Sequence, residues 1–153
     1  MLSRCFGWFV FAVAIVAGAS AQDAASAKNN TSGYELAAYY FPNYHPDPQS
    51  AKWHGPGWTE WELVKRAEPR FEGHRQPRVP LWGYTDESKP EAMEQKIAAA
   101  ADHGLTAFIF DWYWYEFGPY LNGGLDNGFL NAKNNGRLKF SIMWANHDWL
   151  DIQ

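Results

Sequence analysis

The chain has 153 residues, 13 Lys plus Arg against 17 Asp plus Glu for a formal charge of −4, and 18% aromatic residues. That acidic balance, with no basic stripe, argues against a nucleic-acid partner, and its single cysteine, Cys5, allows no internal disulfide framework. Nine tryptophans exceed what a small core needs and suit sugar recognition, where a ring face covers C–H surface while amides and carboxylates bond hydroxyls.

Residues 1–21 have the pattern of a signal peptide: Arg4 in the n-region, an apolar run Cys5–Val16, and Ala19-Ser20-Ala21 before a cleavage point at Gln22. The run is short for a bilayer span. No stable membrane span is expected after cleavage, and the product is expected to be secreted or periplasmic, with an uncleaved anchor as the alternative. Residues 22–33 (QDAASAKNNTSG) have the composition of a flexible leader, with overlapping glycosylation acceptor patterns at Asn29 and Asn30. The domain is expected over 34–153.

Glu35–Phe41 (ELAAYYF) predicts a first strand and Pro42–Glu87 a long polar and aromatic excursion. PNYHPDPQ carries too many prolines for a regular helix and reads as a constrained turn or loop. Thr59 and Glu62 have capping-box spacing, with Trp58 and Leu63 at the staple positions, which predicts a short helix from Glu60 to Ala67 ending before Pro69. A second box, Ser88 with Glu91, opens a predicted helix Lys89–His103 whose buried face is Met93, Ile97 and Ala100-Ala101, stopped by Gly104.

Leu105–Phe110 predicts a strand buried on both faces. Asp111 then stands at its carboxyl end, followed by the rings of Trp112, Tyr113, Trp114 and Tyr115. Leu121–Asn134 predicts a weaker helix with Leu125, Phe129 and Ala132 inward, its preference reduced by Gly123, Gly124 and Gly128. Leu138–Ala145 predicts a third strand leading to Asn146, His147 and Asp148. Strand, helix, strand is the parallel crossover unit, so the fold class is α/β.

If the three strands open toward one face, they deliver Tyr39, Tyr40, Asp111, Trp112, Tyr113, Trp114, Trp144, Asn146, His147 and Asp148 there, joined by His54, Trp58, Glu60 and Trp61 from the first loop. These are the candidate substrate contacts. Glu60 and Asp111 are the strongest carboxylates, because each lies among rings near a predicted strand end. Each also has a bland role: an acid in a helix first turn needs no ligand, and Asp111 can serve as a structural hydrogen-bond group. His147-Asp148 completes no metal-ligand spacing and no glycine-rich phosphate loop occurs, so no metal or cofactor is expected.

AYYFPNYHPDP (38–48), WHGPGWTEW (53–61), PRFEGHRQPRVPLWGY (69–84), FIFDWYWY (108–115) and MWANHDW (143–149) together resemble the N-terminal part of glycoside hydrolase family 99-like and WbsX-like glycan-processing proteins. That resemblance implies a partial (β/α)8 TIM-type barrel, about its first three strands with an elaborated first βα loop. It also implies a glycan or polysaccharide partner. Characterised family 99 enzymes are retaining endo-acting α-mannosidases, with catalytic carboxylates from a later part of the barrel. No catalytic residue is therefore assigned here, and this chain alone is expected to be inactive. At 153 residues it is short of the about 250 of a typical barrel. Polysaccharide biosynthesis, non-catalytic glycan binding, a small three-stranded α/β domain and a structural remnant stand as alternatives. The sequence does not specify the oligomeric state.

Overall fold

A computed structural model describes residues 33–145. The signal-peptide and leader assignments over 1–32, the two acceptor asparagines, and Asn146, His147 and Asp148 lie outside the described residues.

The elements run β1 (Ala37–Tyr40), α1 (Pro48–His54), α2 (Trp61–Lys65), α3 (Pro90–Asp102), β2 (Ala107–Tyr115), β3 (Gly118–Tyr120) and β4 (Lys139–Trp144). β2 is central and parallel to both neighbours, with Tyr40 opposite Phe110 and Trp112 opposite Trp144. β3 turns back antiparallel on the far end of β2, pairing Tyr113 with Tyr120. The described sheet is thus open and four-stranded, with three parallel strands where three were expected and one additional hairpin arm.

The core lies between this sheet and α3. Helical periodicity buries Met93, Ile97 and Ala101, which meet Phe108 and Phe110 from β2 and Leu125, Phe129, Ala132 and Leu138 from the following segment. Only one sheet face is covered in this way. Along β2 the buried Phe108 and Phe110 alternate with half-buried Ala107 and Ile109, so the burial expected for Leu105–Phe110 on both faces is complete only on the α3 side among the described residues.

Several local expectations are corrected. α1 follows the proline-rich turn because Asp47 accepts from the Gln49 and Ser50 amides and Pro48 occupies the first turn. α2 is one short turn rather than Glu60–Ala67: the Thr59 hydroxyl accepts from the Trp61 amide, but Glu62 pairs with Lys65 instead of reaching back, and Leu63 is left exposed rather than stapled. Ser88 does not cap α3. Its hydroxyl donates to Asp86, and Lys89 takes the cap position without a side-chain bond.

The predicted helix Leu121–Asn134 becomes a π-turn over Gly124–Gly128 and a 3-10 turn over Phe129–Asn131, with a further 3-10 turn at Asn135–Arg137. The glycines explain this. A Cβ on Gly128 would stand 2.0 Å from the Glu87 carbonyl oxygen, and one on Gly124 2.8 Å from Pro42 Cβ. They permit contact between this segment and the loops over α3, which outweighs their poor helix preference.

Candidate functional site

β2 does not stop at Phe110. It continues through the ring-rich run, so side chains alternate between the two sheet faces. Phe108, Phe110, Trp112 and Trp114 share the face that packs on α3, while Ile109, Asp111, Tyr113 and Tyr115 share the other. The single aromatic rim expected after Asp111 is therefore split in two. Trp112 and Trp114 stack at 5.5 Å, away from Asp111. Trp144, Trp112's cross-strand neighbour, is 61% exposed.

On Asp111's face the rings converge. Tyr113 meets Tyr120 at 6.2 Å and Phe41 at 6.3 Å, and Tyr115 stacks on Phe117 at 5.2 Å. Trp53 from α1 completes this wall against Tyr120 at 5.5 Å. The wall is pinned by polar contacts: Ser50 Oγ lies 3.0 Å from Tyr120 Oη, and Asp47 accepts from the Leu121 amide at 3.3 Å as well as capping α1. Tyr39 lies on the same sheet face and is 74% exposed.

Asp111 has one carboxylate oxygen enclosed without a hydrogen-bond partner among the described residues. Burial pushes its carboxyl above the ordinary range. Glu60 is held by the Asn43 side-chain amide at 2.6 Å. The two acids bear on one pair of phenols: burial raises both Tyr113 and Tyr120, with Asp111's charge adding at Tyr113 and those of Asp47 and Glu60 adding at Tyr120.

Tyr40 points the other way. It packs on Phe108 at 4.8 Å and Phe110 at 5.0 Å and donates to Glu87 Oε1 at 2.5 Å. Burial first, then the charge of Glu87, pushes its phenol far up. Glu87, 1% exposed, also accepts from the Tyr44 amide at 2.8 Å and from Lys96. It holds the turn that presents Asn43 and Tyr44 to Glu60 and Trp61. No sequence pattern marked Glu87, which sits in an irregular polar stretch.

The remaining first-loop candidates are brought together in pairs. His54 and Trp58 face each other at 4.2 Å beyond α1. Trp61 packs at a tilt against Tyr44 at 4.1 Å and donates its indole N–H to the Thr85 carbonyl at 2.8 Å, so it braces the long loop. Among the described residues no group of three His, Cys, Asp or Glu could hold a metal ion, and no helix is long and apolar enough to cross a membrane.

His45 is a further residue, with little in its sequence context to single it out. It is buried against Gly123, and neither ring nitrogen has a partner among the described residues. Burial lowers its pKa below the ordinary 6.5, opposed by the charges of Glu87, Asp47 and Asp86. Between that lowered value and about 6.5 the unfolded chain takes up a proton that the fold resists, so His45's contribution is intact above this window and is lost as pH falls through it. Urea melts at pH 7.5 and 5.5 should show acid destabilisation that shrinks in His45→Leu. An unchanged pH slope would dismiss the effect.

Three parallel strands whose carboxyl ends carry an enclosed acid and a ring wall define an α/β protein with a strand-end candidate site, the usual location of ligands in such sheets. The family model for glycosyltransferase WbsX matches residues 36–152. The chain belongs to that family and is WbsX-like and glycan-related. It is 38% identical over 115 residues to "Uncharacterized protein WxcX" of Xanthomonas campestris pv. campestris, strains B100 and ATCC 33913. The match covers 74% of this chain but 16% of each relative. No solved structure matches.

Proposed function

We propose that this chain forms a glycan-contacting part of a WbsX-type protein acting in polysaccharide assembly. The observation that carries the reading is Asp111, whose enclosed oxygen has no hydrogen-bond partner among the described residues, at the strand ends beside the Tyr113–Tyr120 wall. An acceptor so placed suits a sugar hydroxyl, with the rings covering the sugar's C–H face. In this reading the parallel strands are the first three of a (β/α)8 barrel, with ligands at its carboxyl-end face. The apolar leader routes the product outside the cytoplasm.

Retaining hydrolysis of internal α-mannosidic bonds is the second reading. Asp111's upward shift suits it, because a carboxyl that holds its proton longer can donate a hydrogen bond to a sugar oxygen near the reacting bond. That chemistry needs two carboxylates about 5 to 5.5 Å apart, and the family resemblance places both of them in a later part of the barrel, with Asp111 as a substrate contact beside them.

The test is binding of the 153-residue chain to a panel of neutral α- and β-linked oligosaccharides, followed by Asp111→Asn. The variant should bind at least about tenfold more weakly, since a hydrogen bond to a charged group is worth about 1.5 to 3 kcal/mol. Equal affinity in a folded variant would remove Asp111 as the anchor. Cleavage of a bound α-mannan by the longer protein would favour hydrolysis.

A further inference from the structure

We propose a second sugar-contact site outside Asp111's face, in the cleft between the Pro80–Gly83 turn and α3, taking one ring of a neutral glycan. The inference rests on the glycan reading above and extends it to the long first loop. The cleft has a volume of about 250 Å³ and is lined by Trp61, Pro80, Trp82, Thr85 and Lys96, among others. Gly83 closes the turn, donating its amide to the Pro80 carbonyl at 2.9 Å with a positive φ of 72°. This tight turn thrusts out two large apolar residues that a loop has no packing reason to carry: Leu81 is 96% exposed and Trp82 44%.

Ring and polar groups are arranged as a sugar needs. Trp82 offers an accessible indole. Trp61 also lines the cleft, held by its bond to the Thr85 carbonyl and by Tyr44. Lys96 spends two of its three ammonium protons on Glu87 and Tyr40, which leaves one for a ligand oxygen. The Thr85 hydroxyl makes no hydrogen bond among the described residues.

Size and charge select the occupant. The cleft is just below the about 300 Å³ at which drug-sized pockets begin, which suits one sugar ring. Glu87 already offsets the Lys96 charge, so a neutral ring gains the hydrogen bond without requiring an unpaired cation, and an acidic sugar gains little more.

The experiment titrates the 153-residue chain with neutral gluco- and manno-oligosaccharides, using polygalacturonate as the acidic control, and follows the Trp82 and Trp112 indole N–H signals by NMR. Trp82 should shift with the neutral ligands, and this shift should change little with salt. Trp82→Ala should weaken that binding about tenfold, the scale of ring stacking plus lost contact area, while Trp82→Tyr keeps a ring and restores most of it. Loss in Trp82→Ala supports the second site even if Asp111→Asn changes nothing, an outcome that would sink only the strand-end reading. Unchanged binding in a folded Trp82→Ala overturns the second site, whether or not Asp111→Asn is impaired. A change confined to sedimentation also overturns it, in favour of Leu81 and Trp82 docking a protein. A chain that binds no glycan overturns both readings.

Discussion

Gly128→Ala should destabilise the chain by about 3 kcal/mol or more, the upper range for forcing atoms into a filled core. Gly128 has an ordinary helical-side backbone, φ −82° and ψ −76°, so alanine pays no conformational penalty there. The cost is one of space. The new methyl would stand 2.0 Å from the Glu87 carbonyl oxygen, 3.2 Å from its carbonyl carbon and 2.7 Å from Met93 Cγ. Met93 has alternative rotamers, but the Glu87 backbone cannot retreat without moving the carboxylate that holds Tyr40, Tyr44 and Lys96. Urea denaturation should show a large fall in midpoint with little change in slope. Gly136→Ala is the control, since nothing lies within 4 Å of a Cβ there. Equal stability of the two variants would show that the π-turn does not dock as described.

The same glycine illustrates what could be read in advance. Periodicity alone identified the Met93, Ile97 and Ala101 face of α3 and the inward set Leu125, Phe129 and Ala132, because a helical repeat reports burial without knowledge of the partner. Gly123, Gly124 and Gly128 were legible only as weak helix formers. Their use is a close approach to His45, Pro42 and Glu87, residues distant in the chain, and local propensity carries no record of it. The ring run after Asp111 misled for a related reason. Period-2 alternation is visible when one face is polar, whereas Asp111 to Tyr115 places large rings on both faces, so a continuing strand resembles a loop at a strand end. Asp47-Pro48 was a legitimate helix-start signal, masked by the neighbouring prolines.

Glu87 carries the other large expected effect. Its carboxylate is buried and serves three donors, the Tyr40 phenol at 2.5 Å, the Tyr44 amide at 2.8 Å and the Lys96 ammonium. Glu87→Ala leaves all three without their acceptor and Lys96 without its counter-charge, and removing one partner of a buried pair costs about 3 to 5 kcal/mol. Lys96 is partly exposed, with 19% of its side chain accessible, so water can take up some of the stranded charge and the lower end of that range is expected. Glu87→Gln retains an acceptor and should cost less. Lys96→Met should also destabilise, because Glu87 then keeps a buried charge with only neutral donors. The double variant Glu87→Gln/Lys96→Met should cost less than the two single changes added together, since contacting charges couple. Because Glu87 fixes the turn carrying Asn43, the partner of Glu60, Glu87→Gln should also disturb the Glu60 side of the site before global unfolding. Hydrogen exchange at the Tyr44 amide would register this, and strict additivity together with unchanged Tyr44 protection would show that the ion pair neither couples nor holds the turn.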